Sequence, residues 1–320
     1  MCRGLTQLGW AHHPAARPLR ARLDELSAGD EGERTPYARG WIHRARGELV
    51  WLLERDVGAC LAELDASRAA FEQGRALRAL CLTQLNAASL TAWSGATARA
   101  LAMLPVAFEE AERLGATFLV RYGRAVEGLL MAYAGDPRAE ASMRAALSGV
   151  RGSPRLAFIS RFVTAWLALE RGDLDLAADD AREALALSVD DRLRGAAIAL
   201  EARVDVAAGR LDAAITRAIE ADALESQLTG LDLPYGVGGL ALAEAHAARG
   251  EGALADAALG RVVARLDAVA HTLGAPEAMA RFAARKLPNA RIASLARERG
   301  VRGIGDPEAA ASPRGDQGAA

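Results

Sequence analysis

The chain has 320 residues and a formal net charge of −2, with 39 basic and 41 acidic side chains. A charge so close to zero gives no overall field to recruit nucleic acid or an anionic membrane, so we expect neither as a partner. Apolar residues make up 51% of the chain but aromatic residues only 5%, a composition that suits helices packed closely side by side.

The sequence also carries no signal for a membrane or an oxidising compartment. No segment approaches the roughly 18 uninterrupted apolar residues of a transmembrane helix, and residues 1–10 lack the apolar core of a signal peptide. The three cysteines, Cys2, Cys60 and Cys81, are widely spaced and form no CxxC pair. We therefore expect a cytoplasmic protein with reduced thiols.

Residues 1–35 contain one predicted helix, Pro18 to Ser27, and then a polar break over residues 28–33. The apolar face of this helix has no earlier repeat to pack against. It is interpreted as an N-terminal capping helix followed by a polar linker, or else as a helix that packs on sequence upstream of residue 1.

From residue 36 to residue 275, short turns separate Ala/Leu-rich amphipathic segments and recur every 37 to 41 residues. The central positions of these turns are Arg55, Gly95, Gly135, Gly172, Gly209 and Gly250. A fixed period in this range is typical of a helical solenoid, and it leaves room for two helices per repeat. We expect an all-α chain without β-strands, built from about six helix pairs.

Two columns of small residues accompany the turns. The position seven residues before each turn is small in five of six repeats, the exception being Glu48. The position five residues after each turn is likewise small, except for Glu140. Antiparallel helices approach closely only where small side chains meet, so these columns are predicted to be the crossing points of each pair.

Small residues at the crossing and glycine at the turn resemble the tetratricopeptide (TPR) repeat in a lengthened form, over about residues 36–275. The repeats exceed the usual period of about 34 residues, and the aromatic columns of the family are mostly Ala, Leu or Arg here. The resemblance implies a right-handed α-solenoid.

The stretch after the repeats, from Pro276 to Arg297, resembles the closing helices of a bacterial group of signalling proteins. In that group a long TPR-like region follows a serine/threonine kinase or a signalling ATPase module. Residues 276–299 are therefore predicted to be C-terminal capping helices, and a kinase or ATPase is an expected partner. Residues 300–320 lack periodicity and are predicted to be a disordered tail.

The sequence lacks the familiar motifs of enzymatic chemistry. Lys286, the sole lysine, has no glycine cradle of the P-loop type, and His43-Arg44-Ala45 lacks the aspartate of a kinase catalytic loop. The histidines lack the pair spacings of zinc sites. We expect no catalytic residue, no metal and no cofactor.

The TPR resemblance places the first helix of each pair on a concave groove. The groove-facing residues with the strongest binding chemistry are Trp93, Tyr122, Tyr133, Phe162, Trp166 and Arg203. Aromatic residues and arginine anchor many interfaces, but apolar stripes at helical spacing are more often core. If these side chains bind a partner, Phe162 and Trp166 should be partly exposed in the free chain.

The expected function is therefore a non-catalytic protein–protein interaction or regulatory scaffold module of a bacterial signalling system, with a protein or peptide partner in the groove. One alternative is a small-molecule sensor domain that regulates an attached or partner kinase or ATPase. Another is an enzyme whose site has no familiar motif. The apolar character of the groove favours a protein or apolar ligand over a phosphorylated one.

Overall fold

A computed structural model describes residues 16–27, 34–54, 56–149, 153–227 and 235–304. Within these ranges all regular secondary structure is helical, and no strand is present. The all-α expectation is thus confirmed for the described part of the chain.

The helices follow one another with short connections. They are α1 (Ala16–Ser27), α2 (Pro36–Glu54), α3 (Val57–Gln73), α4 (Leu77–Trp93), α5 (Thr97–Arg113), α6 (Thr117–Ala134), α7 (Ala139–Gly149), α8 (Pro154–Glu170), α9 (Leu174–Ala186), α10 (Asp191–Ala207), α11 (Leu211–Gln227), α12 (Val237–Ala248), α13 (Gly252–His271), α14 (Pro276–Ala284), a π-helical turn (Lys286–Ala290) and α15 (Arg291–Arg299). From α2 to α13 consecutive helices pack in pairs, as in a helical-repeat solenoid.

Five of the six predicted turns fall between the two helices of a pair, and the first, at Arg55, lies outside the described residues. Their glycines have left-handed backbone conformations, with φ values of +90° at Gly95, +72° at Gly135, +79° at Gly172, +76° at Gly209 and +83° at Gly250. Glycine adopts this conformation without a Cβ penalty, so it ends a helix and redirects the chain.

The small-residue columns lie at the helix crossings. Their alanines are buried at Ala88, Ala165, Ala202 and Ala243 before the turns and at Ala100, Ala177, Ala214 and Ala255 after them. In the two repeats whose column residue is Glu48 or Glu140, the small residue lies one position earlier in the chain. In the first of these repeats the residue is Gly47, where little space is left for a side chain: an added Cβ would be 3.3 Å from the carbonyl oxygen of Cys60. In the other repeat the residue is Ala139, which is fully buried.

The first helices of successive pairs form one layer. Helix α4 packs on α6, α6 on α8, α8 on α10 and α10 on α12, whereas contacts between successive second helices are sparser. Closer packing in one layer curves a stack of helix pairs toward that layer. The layer of first helices is here called the inner wall.

Both ends of the array carry additional helices. Helix α1 begins two residues earlier than predicted, and its Leu23 packs in a small cluster with Ile42, Ala45 and Leu49 of α2. After α15, residues 300–304 still belong to the folded part, because Ile304 is buried against the main core. The rest of the predicted tail, residues 305–320, lies outside the described residues.

No helix in the described ranges combines the length and the apolar character that crossing a bilayer requires.

Candidate functional site

The residues predicted to face the groove all lie on first helices, but most of them are buried. Trp93, Tyr133, Phe162, Trp166 and Arg203 are each at most 6% exposed, and Tyr122 is half-buried. Phe162 and Trp166 are 0% and 2% exposed, as expected for an apolar stripe that forms core, and they are not partly exposed as a partner-binding role would require. Their rings lie inside the inner wall and are not free to anchor a partner.

Three of these buried side chains, Phe162, Trp166 and Arg203, form a ladder along the wall. The ring centroids of Phe162 and Trp166 are 6.5 Å apart, and the guanidinium carbon of Arg203 lies 4.0 Å from the Trp166 centroid. The Arg203 Nε then donates to Glu244 Oε2 at 2.7 Å. Trp166, Arg203 and Glu244 occupy the same position, six residues before the turn, in three successive repeats.

Much of the wall is covered by the chain's own residues 276–304, here called the C-terminal segment. Its Arg285 inserts between first helices: one guanidinium nitrogen donates to the Trp93 carbonyl oxygen at 3.1 Å. The guanidinium carbon lies 5.0 Å from the Trp93 ring centroid and 4.6 Å from that of Tyr133. Two of the predicted binding residues thus bind an arginine of the same chain.

The Arg285 site is closed by the segment itself. The second terminal nitrogen of Arg285 donates to Asn289 Oδ1 at 3.0 Å, and Asn289 Nδ2 donates to the Phe282 carbonyl oxygen at 2.7 Å. Burial lowers the pKa of Arg285 to about 10, so the side chain remains a cation at neutral pH. Among the described residues Arg285 forms no ion pair, so aromatic faces and carbonyl dipoles hold its charge.

The segment also lies directly on two turns of the array. A Cβ added to Gly95 would be 2.4 Å from the carbonyl carbon of Arg281, and one added to Gly135 would be 3.1 Å from Lys286 Cγ. Glycine at these turns therefore has a second role, which is to admit the backbone and side chains of the C-terminal segment.

Farther along the wall, Glu244 joins the segment to the ladder. Its Oε1 accepts from Arg291 Nε at 2.7 Å while its Oε2 accepts from Arg203. Burial raises the pKa of the Glu244 carboxyl, but Arg203 and Arg291 outweigh burial and hold the pKa below its ordinary value. The ionised carboxylate of Glu244 thus bridges Arg203 of α10 and Arg291 at the start of α15.

A cavity of about 530 Å³ remains beside this bridge. Its walls combine apolar side chains of the first helices and α15 with the charged groups of the bridge: Leu169, Val206, Leu295, Arg203, Glu244 and Arg291. Ligand pockets of roughly 300–1,000 Å³ with a few convergent polar groups are common in proteins.

The start of α12 is occupied by a carboxylate of the same chain. Glu225 accepts from the backbone N–H groups of Gly236, Val237, Gly238 and Gly239. Burial raises the pKa of Glu225, and Arg265 and these N–H groups oppose that effect. Because the helix N-terminus is already satisfied, it does not offer an anion site.

Three residues of the wall were missed from sequence: Glu244, Arg285 and Arg291. The column six residues before the turn, which contains Trp166 and Arg203, reaches Glu244 if it is extended by one repeat. The two arginines lie in the stretch that resembles closing helices, but no periodic pattern relates them to the repeats.

A scan against protein-family models and a search of curated proteins each return no match to this chain. In the described residues no three His, Cys, Asp or Glu side chains are grouped as metal ligands. The class of the protein therefore follows from its architecture: it is a helical-repeat protein whose inner wall holds its own C-terminal segment.

Proposed function

We propose that this chain is a non-catalytic protein-interaction or regulatory module. It is a right-handed TPR-like solenoid of about six helix pairs that binds a protein or peptide partner along the inner wall. The observation that supports this function is that the wall already binds a polypeptide segment, residues 285–291, through a backbone carbonyl and side chains of the repeats.

The chemistry of the wall suits polypeptide recognition. Trp93 and Tyr133 offer aromatic faces, the Trp93 carbonyl accepts a hydrogen bond, and Glu244 accepts from arginine. Such a mixture of aromatic anchors and a few oriented polar groups is typical of protein interfaces. No arrangement of nucleophile, base and electrophilic donors is found among the described residues of the wall, which favours binding over catalysis.

The wider setting is proposed from the sequence. The resemblance of residues 276–297 to the closing helices of bacterial signalling proteins suggests a serine/threonine kinase or signalling ATPase as the partner, in the cytoplasm. The net charge of −2 favours a protein over nucleic acid or a membrane.

Site-specific photo-cross-linking tests this function. A photoreactive phenylalanine analogue replaces Tyr122, the half-buried aromatic residue of the inner wall, in the full chain. The matched control carries it at Ala264, an exposed position on α13. In lysate of the source cells, a defined protein should be cross-linked from position 122 and not from 264. Cross-links from 264 alone, or from neither position, would contradict the proposal.

A sensor domain that regulates an attached or partner kinase or ATPase is the second candidate, and the cavity of about 530 Å³ favours it. Native mass spectrometry of the purified chain tests this alternative. A bound small molecule that is lost in an Arg203→Gln variant would support a sensor. A purified chain with the mass of the polypeptide alone, unchanged on incubation with a metabolite extract, would argue against it.

A further inference from the structure

The C-terminal segment presents two arginines to two different sites of the inner wall. Arg285 inserts between Trp93 and Tyr133, and Arg291 pairs with Glu244. The π-helical turn Lys286–Ala290 joins these two sites, and it is interrupted by one non-helical residue, Leu287, with a ψ of 115°. The wall therefore binds a short segment that has an arginine at each end.

We propose that the inner wall is a recognition surface for arginine-bearing peptide segments, and that residues 285–291 are its resident occupant. A partner segment with the same chemistry displaces them. This inference rests on the proposed function and specifies its partner: a protein that presents two arginines about six residues apart.

Arginine suits both sites better than lysine does. The planar guanidinium stacks on the rings of Trp93 and Tyr133 while its edge donates to a carbonyl oxygen. A compact, strongly hydrated ammonium group cannot do both at once. At Glu244 the guanidinium groups of Arg203 and Arg291 share one carboxylate, an oxygen each.

The C-terminal segment also packs on the array through Phe282, Leu287 and Ile292, which belong to the main core, so a competing segment must supply apolar contacts as well as its two arginines. The wall groups Trp93, Tyr133 and Glu244 lie on α4, α6 and α12, and so belong to the repeats and not to the segment. Arg285 is buried without a carboxylate among the described residues, and a desolvated cation is costly to hold. Only residues 272–275 link α13 to α14, so the segment stays near the wall and competes as an intramolecular ligand.

The test uses the full chain and a fluorescent peptide of residues 280–296, whose binding is measured by fluorescence polarisation. In the chain, Arg285→Gln with Arg291→Gln weakens the resident segment and leaves the wall intact. This variant should bind the peptide with a Kd at least tenfold lower than the wild-type chain does, because the competent state is more populated. The control variant Arg297→Gln, exposed on α15, should behave as wild type.

A second peptide with glutamine at both arginine positions should bind at least tenfold more weakly. If the double variant retains wild-type circular dichroism and binds neither peptide, or binds both equally, the inference is overturned. If the double variant does not fold, hydrogen exchange in the wild-type chain decides. Excess native peptide should accelerate exchange at residues 285–291, and unchanged exchange would overturn the inference.

Failure of this inference is distinguishable from failure of the proposed function. If a partner is cross-linked from position 122 and the native peptide does not displace it, the proposed interaction function is supported although the inference fails. In that case the C-terminal segment is a permanent part of the core, and the partner uses another part of the wall.

Discussion

At the scale of single residues, alanine determines how closely each helix pair packs. Ala165 and Ala202 occupy the crossing column of adjacent pairs, and their side chains are 1% and 0% exposed. The space at each crossing has no room for a larger side chain, because interiors are packed at nearly crystalline density.

We predict that Ala165→Leu and Ala202→Leu each destabilise the fold by about 1–3 kcal/mol, since overpacking forces the helices apart. Urea denaturation followed by circular dichroism measures this change. Ala264→Leu, at an exposed position of α13, is the matched control and should change stability by less than about 0.5 kcal/mol. Equal stability of all three variants would show that the crossings are assigned wrongly.

Glu244 is the second residue on which the wall depends, because its carboxylate neutralises arginines from two different elements. Its pKa is lowered in the folded chain, so the ionised carboxylate stabilises the fold at pH values above its ordinary pKa of 4.5. This stabilisation is lost as the pH falls through the lowered native pKa.

Glu244→Gln should therefore destabilise the chain at pH 7 by about 3 kcal/mol, because it leaves the buried Arg203 with only the more distant and more exposed carboxylate of Glu170, 3.9 Å away. As the pH is lowered from 5, the free energy of unfolding should also fall less for this variant than for wild type. Urea denaturation across this pH interval checks both statements. Glu109→Gln, at an exposed position of α5, serves as control and should follow the wild-type profile. Parallel wild-type and Glu244→Gln profiles would contradict the assigned bridge.

At the scale of elements, the turns and crossings were predictable because they recur. Five turn glycines have the positive φ that their helix-ending role requires. In the two repeats where the small-residue column contains glutamate, Glu48 and Glu140, the preceding residues Gly47 and Ala139 lie at the crossing instead. A fixed column position cannot detect such a shift, since packing rather than spacing selects the residue.

The position of the C-terminal segment was not predictable in the same way. The stretch from Pro276 to Arg297 was expected to cap the end of the array, and its helices were found as α14 and α15. Its Arg285 lies against Trp93, however, 192 residues earlier in the chain. A contact of this kind depends on the curvature of the whole array, which no local pattern encodes. The burial of Phe162 and Trp166, in contrast, agrees with the usual behaviour of apolar stripes at helical spacing.

Substitutions at two turn glycines distinguish the cost of backbone strain from the cost of lost contact with the C-terminal segment. Gly95→Ala places a Cβ against the backbone of Arg281, whereas Gly209→Ala meets nothing within 4 Å. Both residues have positive φ, so both substitutions should cost about 1–2 kcal/mol of backbone strain. Gly95→Ala should be the more destabilising and should also accelerate hydrogen exchange in residues 276–285. Equal effects of the two substitutions would mean that the segment does not rest on this turn.

At the scale of the whole molecule, the two ends of the array are tied together. The backbone N–H of Val57, at the start of α3, donates to Thr272 Oγ1 at 3.2 Å, across 215 residues of sequence. The C-terminal segment adds contacts with α4, α6 and α12. A repeat array usually consists of units that contact only their neighbours, so these long-range ties should make its unfolding more cooperative.

A double-mutant cycle between Glu244 and Arg291 tests most directly whether the C-terminal segment is held on the inner wall. The stabilities of wild type, Glu244→Gln, Arg291→Gln and the double variant are measured by urea denaturation at pH 7. Residues in direct contact show interaction energies of about 0.5–3 kcal/mol, and we predict a coupling of at least 1 kcal/mol. Additive effects, with a coupling of about zero, would contradict a C-terminal segment seated on the wall.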